Sequence, residues 1–318
     1  MNCNKQLNFG FEYEAPESFV TSEWQNERRP SVKYLIYRWI LSIYFNFVLV
    51  FSIYTAAECK QLEFYLIYLT NWNVMLNAIT SLFGAILVTF YYKGKISFEN
   101  EENRMPMSFK IYWLLTTLSA VVSILFSCVY WPLIYTERDK GLNDALTHVG
   151  NGIVFLIDIL ANAHPPRYGH FVYPLSFGVF YCYFFSLPYT LLGGVNRDYN
   201  NYIYSVLDWK NDTQNAIIFA LSTVAFLVFM HFVLTFLTGT KKFVHKKIKS
   251  RRSETNETMS DNQYDNPSFK ICKRKKKFII KISNSEEHAR KKMLKLEYLT
   301  IEDNHSNFTH FSCVEMKH

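Results

Sequence analysis

A 29-residue run without an acidic, basic or histidine side chain, Phe64 to Tyr92, is the feature that most limits how this chain can fold. A helix of about 20 apolar residues is long enough to cross the hydrocarbon core of a bilayer. Five more stretches are mainly apolar and of similar length, so that the predicted spans are 34–56, 64–92, 111–135, 145–163, 171–192 and 216–238. The sequence therefore predicts an all-α, six-helix transmembrane bundle.

The positions of Lys and Arg predict which ends of the helices face the cytosol. Basic residues concentrate on the cytoplasmic side of short membrane loops. The segment Lys241 to Arg252, after the last span, has seven basic residues and no acidic one. With six spans, both termini are then cytosolic. The predicted parts are a cytosolic N-terminal segment (1–33), the six-span domain (34–238) and a basic, mostly disordered cytosolic tail (239–318), in the plasma membrane or an endomembrane.

The tail holds most of the charge of the protein, with 19 Lys and Arg against 10 Asp and Glu, whereas the rest of the chain has 15 against 17. A basic residue near an anionic inner leaflet is attracted to it by about 1 kcal/mol. Anionic lipids are therefore possible partners of Lys241–Arg252 and of Cys272–Lys281, although a solvated stop-transfer flank is the simpler interpretation of the first run. A membrane-tethered tail makes a nucleic-acid partner unexpected.

The cysteines give no sign of a metal centre. All six stand singly along the chain, without a CxxC pair, so neither a zinc site nor a disulfide framework is indicated. His164 and His170 flank a short loop, but no Cys or acidic residue stands beside them. No metal and no cofactor are expected.

Polar side chains recur with helical spacing inside the second and fourth spans. In the second span, Thr70, Asn73, Asn77 and Ser81 are three, four and four residues apart and so share one helix face. The fourth span has a comparable face, made of His148, Asn151, Phe155, Asp158 and Asn162. Polar groups are too costly to expose to lipid, so we expect these faces to turn inward and to meet.

A rise of about 1.5 Å per residue divides the polar side chains into two layers. The outer layer is Thr70, His148 and Asn151, and the inner layer is Asn77, Asp158 and His231. The outer layer could line a pocket for a small molecule or lipid that opens toward the outer leaflet, or it could serve interhelical hydrogen bonding. Hydrogen bonding is the favoured interpretation for the amides of Asn73, Asn77 and Asn162.

Two charged residues lie within the predicted spans. A carboxylate in the membrane needs neutralisation, and we expect Asp158 to find a partner such as His231. Arg38 stands near the inner end of the first span, where its long side chain can snorkel to the lipid headgroups without a functional role.

The loop between the fifth and sixth spans, 193–215, is predicted to lie outside. Gly193 and Gly194 can end the fifth helix with a positive φ. The aromatic side chains of Tyr199, Tyr202, Tyr204 and Trp209 suit the outer headgroup region. An interfacial cap over the bundle is favoured, and a surface for a protein partner is the alternative.

Four blocks of the sequence together resemble the rolling stone family of multi-pass membrane proteins. They are YLTNWN, THVGNGIVFLID, HPPRYGHFVYP and YTLLGGVNRDYNNYIYSVLDW, and the resemblance runs from about Arg38 to Leu237. That family is linked to myoblast fusion in muscle development. The resemblance therefore implies a role in a membrane or cell-surface process such as cell fusion.

More distant relatives of that family imply a second function. The androgen-induced and androgen-dependent membrane proteins hydrolyse fatty acid esters of hydroxy fatty acids with an intramembrane Thr and a His. Thr70 matches that Thr, and His148 matches the first His of their Asn-His-x-x-His-Thr pattern, whereas Asn151 replaces the second, catalytic His. An amide cannot take the proton of a Thr nucleophile. An altered or non-catalytic pocket is thus favoured, and a lipid ester hydrolase using Thr70 and His148 is the alternative.

A transporter or channel is the third possibility that the sequence leaves open. Transporters commonly carry inverted repeats and helices broken by Gly or Pro near the bilayer midplane. Neither feature is visible here, so this function is not favoured.

Overall fold

The computed structural model describes residues 7–25, 31–96, 105–130, 141–164 and 167–265, with side chains described as far as Arg251. In these ranges six helices are long and apolar enough to cross a membrane. In chain order they are α1 (Val32–Glu58), α2 (Leu69–Tyr92), α3 (Met107–Val129), α4 (Leu142–Ala161), α5 (Tyr168–Leu191) and α6 (Thr213–Asp265). The prediction of an all-helical, six-span fold is confirmed.

The predicted span bounds differ from the helices most clearly at α2 and α6. The second helix begins at Leu69 rather than Phe64, because Leu62–Ile67 form a separate 3₁₀ helix and Tyr68 is extended. The last helix continues past Thr238 to Asp265, so it includes residues 239–265 of the predicted tail. Residues 240–265 include neither Gly nor Pro and are rich in helix-forming Lys, Arg and Glu.

The chain divides into two compact units, Met1–Lys246 and Lys247–His318. The described part of the second unit is the helix of residues 247–265. Residues 266–318, with the second basic run of the predicted tail, lie outside the described residues.

The bundle has α3 at its centre. Of the six helices α3 is the most buried, and it packs against α2, α4 and α5. Its side chains Trp113, Val121 and Leu125 are almost completely inaccessible. In contrast, α1 exposes Ile43 and Val50, as expected of a helix that turns one side to acyl chains. The central position of α3 places it between the polar faces of α2 and α4.

The N-terminal segment 7–25 folds against the bundle where α4 ends. Phe19 and Val20 are fully buried there. The Ser22 hydroxyl donates to the carbonyl of Ala161 at 2.7 Å, and the indole of Trp24 donates to that of Leu160 at 2.8 Å. These contacts satisfy carbonyls that the last turn of a helix leaves unpaired. This end, predicted to be cytosolic, is called the inner end below, and the end where α2 and α4 begin is called the outer end.

Candidate functional site: an outer cavity and a polar interior

The polar face of α2 is paired with α3 and not with α4. The amide nitrogen of Asn77 donates to the Ser123 hydroxyl at 2.9 Å, and that hydroxyl lies 3.1 Å from the side-chain oxygen of Asn73. One turn further in, the hydroxyls of Thr80 and Ser119 are 2.8 Å apart. The expectation that the polar faces of α2 and α4 meet along their length was therefore wrong, because α3 presents its own serines between them.

Asp158 of α4 is paired with Arg38 of α1. The guanidinium Nη1 lies 2.7 Å from the carboxylate Oδ1, and the two side chains are only 2% and 6% exposed. The Tyr37 hydroxyl donates to the same oxygen at 3.1 Å, and Nη2 of Arg38 donates to the hydroxyl of Tyr112. The prediction of His231 as the partner was wrong, and so was that of a snorkelling Arg38. Each charge stays in the interior because the other neutralises it.

Gly84 on α2 makes room for this ion pair. A Cβ atom at position 84 would lie 2.3 Å from Nη2 of Arg38 and 2.7 Å from the hydroxyl of Tyr112. Any side chain there would push the guanidinium away from its acceptors. The sequence gives Gly84 no distinguishing motif, so its role becomes visible only with the packing.

A small cavity of about 40 Å³ adjoins the ion pair toward the inner end. Asp158, Asn162, His164 and His231 contribute to its wall. His231 belongs to α6, and its Nε2 lies 2.8 Å from the carbonyl of Arg167. The volume suffices for about one or two water molecules, so this cavity is too small for an organic ligand.

Lys241 of α6 caps the C-terminus of α4. Its ammonium donates to the carbonyls of Ile159 at 2.8 Å and Asn162 at 2.5 Å. A cation at a helix C-terminus is favourable, since the last carbonyls carry partial negative charge. This residue of the first basic run is therefore bound by backbone carbonyls at the end of α4. Burial, assisted by Lys241, holds the pKa of His164 well below its ordinary value, so that this imidazole is neutral near pH 7.

A far larger cavity, of about 740 Å³, opens at the outer end of the bundle. Thr70 and His148 both line it. The end of α1, the beginnings of α2 and α4, and the loop between α5 and α6 contribute its walls. Two of the three residues predicted for the outer layer therefore share one cavity, although further in α3 packs against both of the helices that carry them.

The hydroxyl of Thr70 lies 3.4 Å from that of Tyr204, a residue of the outer loop. Burial raises the pKa of Tyr204 to about 12. The phenol is therefore protonated at neutral pH and can share a hydrogen bond, but it is not a base for activating Thr70. Sequence reasoning placed Tyr204 in the headgroup region and did not identify it as the neighbour of Thr70.

His148 lies in a π-helical turn, Ala145–Gly150, at the beginning of α4. Such turns widen the helix and are frequent at functional sites. The Ser127 hydroxyl of α3 donates to the His148 carbonyl at 2.5 Å. The imidazole stacks on the ring of Tyr130, with centroids 3.4 Å apart and an interplanar angle of 5°. These contacts hold His148 in a fixed orientation in the cavity wall.

Asn151 is completely buried and is not part of the described cavity wall. Its amide nitrogen donates to the carbonyl of Thr147, one turn earlier in the same helix, at 3.1 Å. An amide oriented in this way is neither a base nor a donor toward a ligand of the cavity. The arrangement around Thr70 can therefore bind a molecule, and of the residues predicted for catalysis only His148 could take the proton of a Thr nucleophile.

The outer loop has a defined structure of its own. Gly193 has the predicted positive φ, at 89°. The side-chain oxygen of Asn196 accepts the backbone N–H groups of Asp198 and Asn200 at 2.9 and 3.0 Å. Trp209 is buried and donates to the Ser186 hydroxyl at 3.1 Å, so this ring anchors the loop and does not reach the headgroups. Tyr199 is 74% exposed.

Comparison with known proteins places this architecture in a family. The family model described as "Protein rolling stone" matches residues 2–253. The protein rolling stone of Drosophila melanogaster is 31% identical over 246 residues, which are 73% of this chain and 87% of that protein. No solved structure matches the chain significantly. Together with the six apolar helices, these findings indicate an integral, multi-pass membrane protein. The chain belongs to the rolling stone family.

Proposed function

We propose that the protein acts in a membrane or cell-surface process such as cell fusion, and that its outer loop, residues 193–212, is the surface on which this process depends. The observation that supports the proposal is the organisation of this loop. Asn196 folds its first half, and Trp209 anchors its second half in the bundle. Loops held on a rigid scaffold are preferred positions for binding residues.

The exposed side chain of Tyr199 is the part of the loop best suited to contact a partner. Its backbone φ is 60°, a conformation that is uncommon for a residue other than glycine. Its ring makes an edge contact with Phe64, with centroids 5.9 Å apart. A large aromatic ring held in a strained backbone and turned to the surface is typical of recognition residues.

A fusion assay in cells that express the full chain tests this proposal. We expect Tyr199→Ala and Asn196→Ala each to reduce the number of fused cells several-fold at equal surface expression, the first by removing the contact and the second by unfolding the turn. Tyr92→Ala removes a tyrosine that is 46% exposed at the inner end of α2, and it should fuse like the wild type. Normal fusion by both loop variants would refute the proposal.

A second function, hydrolysis of a fatty acid ester of a hydroxy fatty acid, is supported by Thr70 and His148 lining one cavity. The Thr70 oxygen would attack the ester carbonyl while His148 takes its proton, and His148 would return that proton to the oxygen of the hydroxy fatty acid as the ester C–O bond breaks. Water would then hydrolyse the acyl–Thr70 ester, which frees the fatty acid and restores the Thr70 hydroxyl. Purified protein should free fatty acid from such an ester and lose this activity in Thr70→Ala, while Thr240→Ala, exposed on α6, keeps it. An inert wild-type protein would eliminate this function and leave the first untouched.

A further inference from the structure

The wall of the outer cavity is unusual for a lipid-binding pocket. Pockets of about 300–1,000 Å³ are normally lined by mostly apolar side chains with few polar groups. This cavity, of about 740 Å³, has few non-aromatic apolar side chains in its described wall, namely Ala56, Cys59 and Ile203, and Phe126 and several tyrosine rings add to its apolar surface. An acyl chain bound there would contact polar groups and leave them without hydrogen bonds, which is unfavourable. The mixture of polar groups and aromatic rings therefore suits an amphipathic group better than an acyl chain alone.

Side chains with hydroxyl and carboxamide groups are numerous in the wall. The carboxamides are Gln61, Asn71, Asn143, Asn196 and Asn200. A carboxamide both donates and accepts hydrogen bonds, which matches a ligand hydroxyl that does the same. The side-chain oxygen of Asn143 is buried and has no hydrogen-bond partner among the described residues. A ligand hydroxyl would satisfy this oxygen, whose isolation is otherwise costly.

Tyrosines add flat surfaces to the wall. They are Tyr65, Tyr68, Tyr130, Tyr202 and Tyr204. A tyrosine ring offers an apolar face and a hydroxyl on its edge. A sugar ring has the complementary character, with C–H groups on its faces and hydroxyls around its rim.

The ionised side chains of the wall do not favour a charged ligand. Asp144 and Asp198 are present together with Arg197. A phosphate or sulfate group is usually held by several cationic side chains. The described wall instead places both signs around the cavity, so a neutral group is the better match.

The cavity lies at the outer end of the bundle, where the headgroup of a bilayer lipid can reach it. It lies where α2 and α4 begin, and its wall residues Gln61 and Tyr65 are the direct sequence neighbours of Leu62 and Leu66, whose apolar side chains are exposed. A membrane lipid could keep its acyl chains in the bilayer beside such side chains and extend its headgroup into the cavity.

From these observations we infer that the outer cavity binds the uncharged glycosyl headgroup of a membrane glycolipid. The inference deepens the proposed function, because it names the lipid chemistry that the outer surface recognises. It also assigns the cavity to headgroup recognition and not to hydrolysis of an acyl ester.

Binding to the full-length protein in a detergent without sugar groups tests this inference, with photoactivatable glucosylceramide as the probe. Excess unlabelled glucosylceramide should compete at least tenfold better than ceramide, which lacks the sugar, and better than free glucose. Asn143→Leu, which keeps the side-chain size, should weaken labelling by tenfold or more. Asn215→Leu, at the exposed beginning of α6 and outside the cavity wall, should label like the wild type.

Equal competition by ceramide and glucosylceramide would overturn the inference, as would unchanged labelling of Asn143→Leu. Stronger competition by free glucose than by the glycolipid would overturn the assignment to a lipid. Because Asn143→Leu could also disturb folding, Tyr204→Phe provides a second variant that removes one hydroxyl and keeps the ring. A protein that fuses cells normally but does not discriminate the sugar would refute this inference alone, and the proposed function would stand.

Discussion

The buried ion pair of Arg38 and Asp158 gives the sharpest prediction about stability. Their closest atoms are 2.7 Å apart and their side chains are almost inaccessible. Removal of one partner of a buried pair typically costs about 3–5 kcal/mol, because the other charge stays in the interior unpaired. We therefore expect Asp158→Ala to lower the ratio of folded to unfolded protein by roughly two to three and a half orders of magnitude.

The double variant Arg38→Met/Asp158→Leu separates the pair from the loss of packing. Replacement of both charges by apolar side chains of similar volume is often close to neutral or stabilising. The double variant should thus recover most of the stability that Asp158→Ala loses, about 2–3 kcal/mol or more. The hydroxyls of Tyr37 and Tyr112 lose their charged partners in it, so recovery is not expected to be complete.

Thermal unfolding of the purified protein in detergent, followed by size-exclusion chromatography of the remaining folded fraction, measures these effects. Glu58→Ala is the matched control, since it removes a carboxylate that is exposed at the end of α1. It should change stability by no more than about 0.5 kcal/mol. If Asp158→Ala were as mild as this control, or if the double variant were less stable than Asp158→Ala, the ion pair would not have the importance given to it here.

Three further predictions concern the interior. Gly84→Val should destabilise by about 1–3 kcal/mol through overpacking against Arg38, whereas Gly239→Val, where an added Cβ has no neighbour within 4 Å, should unfold like the wild type; equal melting of the two would contradict the packing argument. Ser123→Ala should cost about 1–2 kcal/mol in the same assay, because amides on α2 lose a partner inside the bundle; a neutral result would show that they find other partners. Burial lowers the pKa of His164 in the folded state, so the folded form binds fewer protons than the unfolded one below about pH 6.5, and stability should fall as the pH decreases through that value. His164→Gln should make the melting temperature less dependent on pH between 7.5 and 5, and an unchanged pH profile would exclude His164 as its source.

Sequence reasoning identified the polar side chains of the interior but not all of their partners. Arg38 and Asp158 both lie within two turns of the inner ends of their helices, so a comparison of depths could have paired them. His231 was preferred because depth alone does not say which helices are neighbours. The contact between Thr70 and Tyr204 had no signal in the spacing, since Tyr204 belongs to an irregular loop 134 residues away.

Local chemistry by itself determined that the chain forms six helices long and apolar enough to cross a membrane. Runs such as Phe64 to Tyr92 have no alternative to helix in lipid, because every backbone polar group must be paired within the segment. The helical period likewise determined which faces of α2 and α4 turn away from lipid, as Asn77 and Asp158 show. Family membership also followed from the four residue blocks, since a family resemblance is read from the amino-acid sequence alone.

The tertiary structure alone decided what those faces contact. It placed α3 between α2 and α4. It also paired Asp158 with Arg38, whose guanidinium occupies the space beside Gly84. It also brought the outer loop over Thr70 and so formed the wall of the large cavity. The physical reason is that hydrophobicity and helical period act along one segment, whereas the pairing of a buried polar group depends on which other segments lie within hydrogen-bond distance of it.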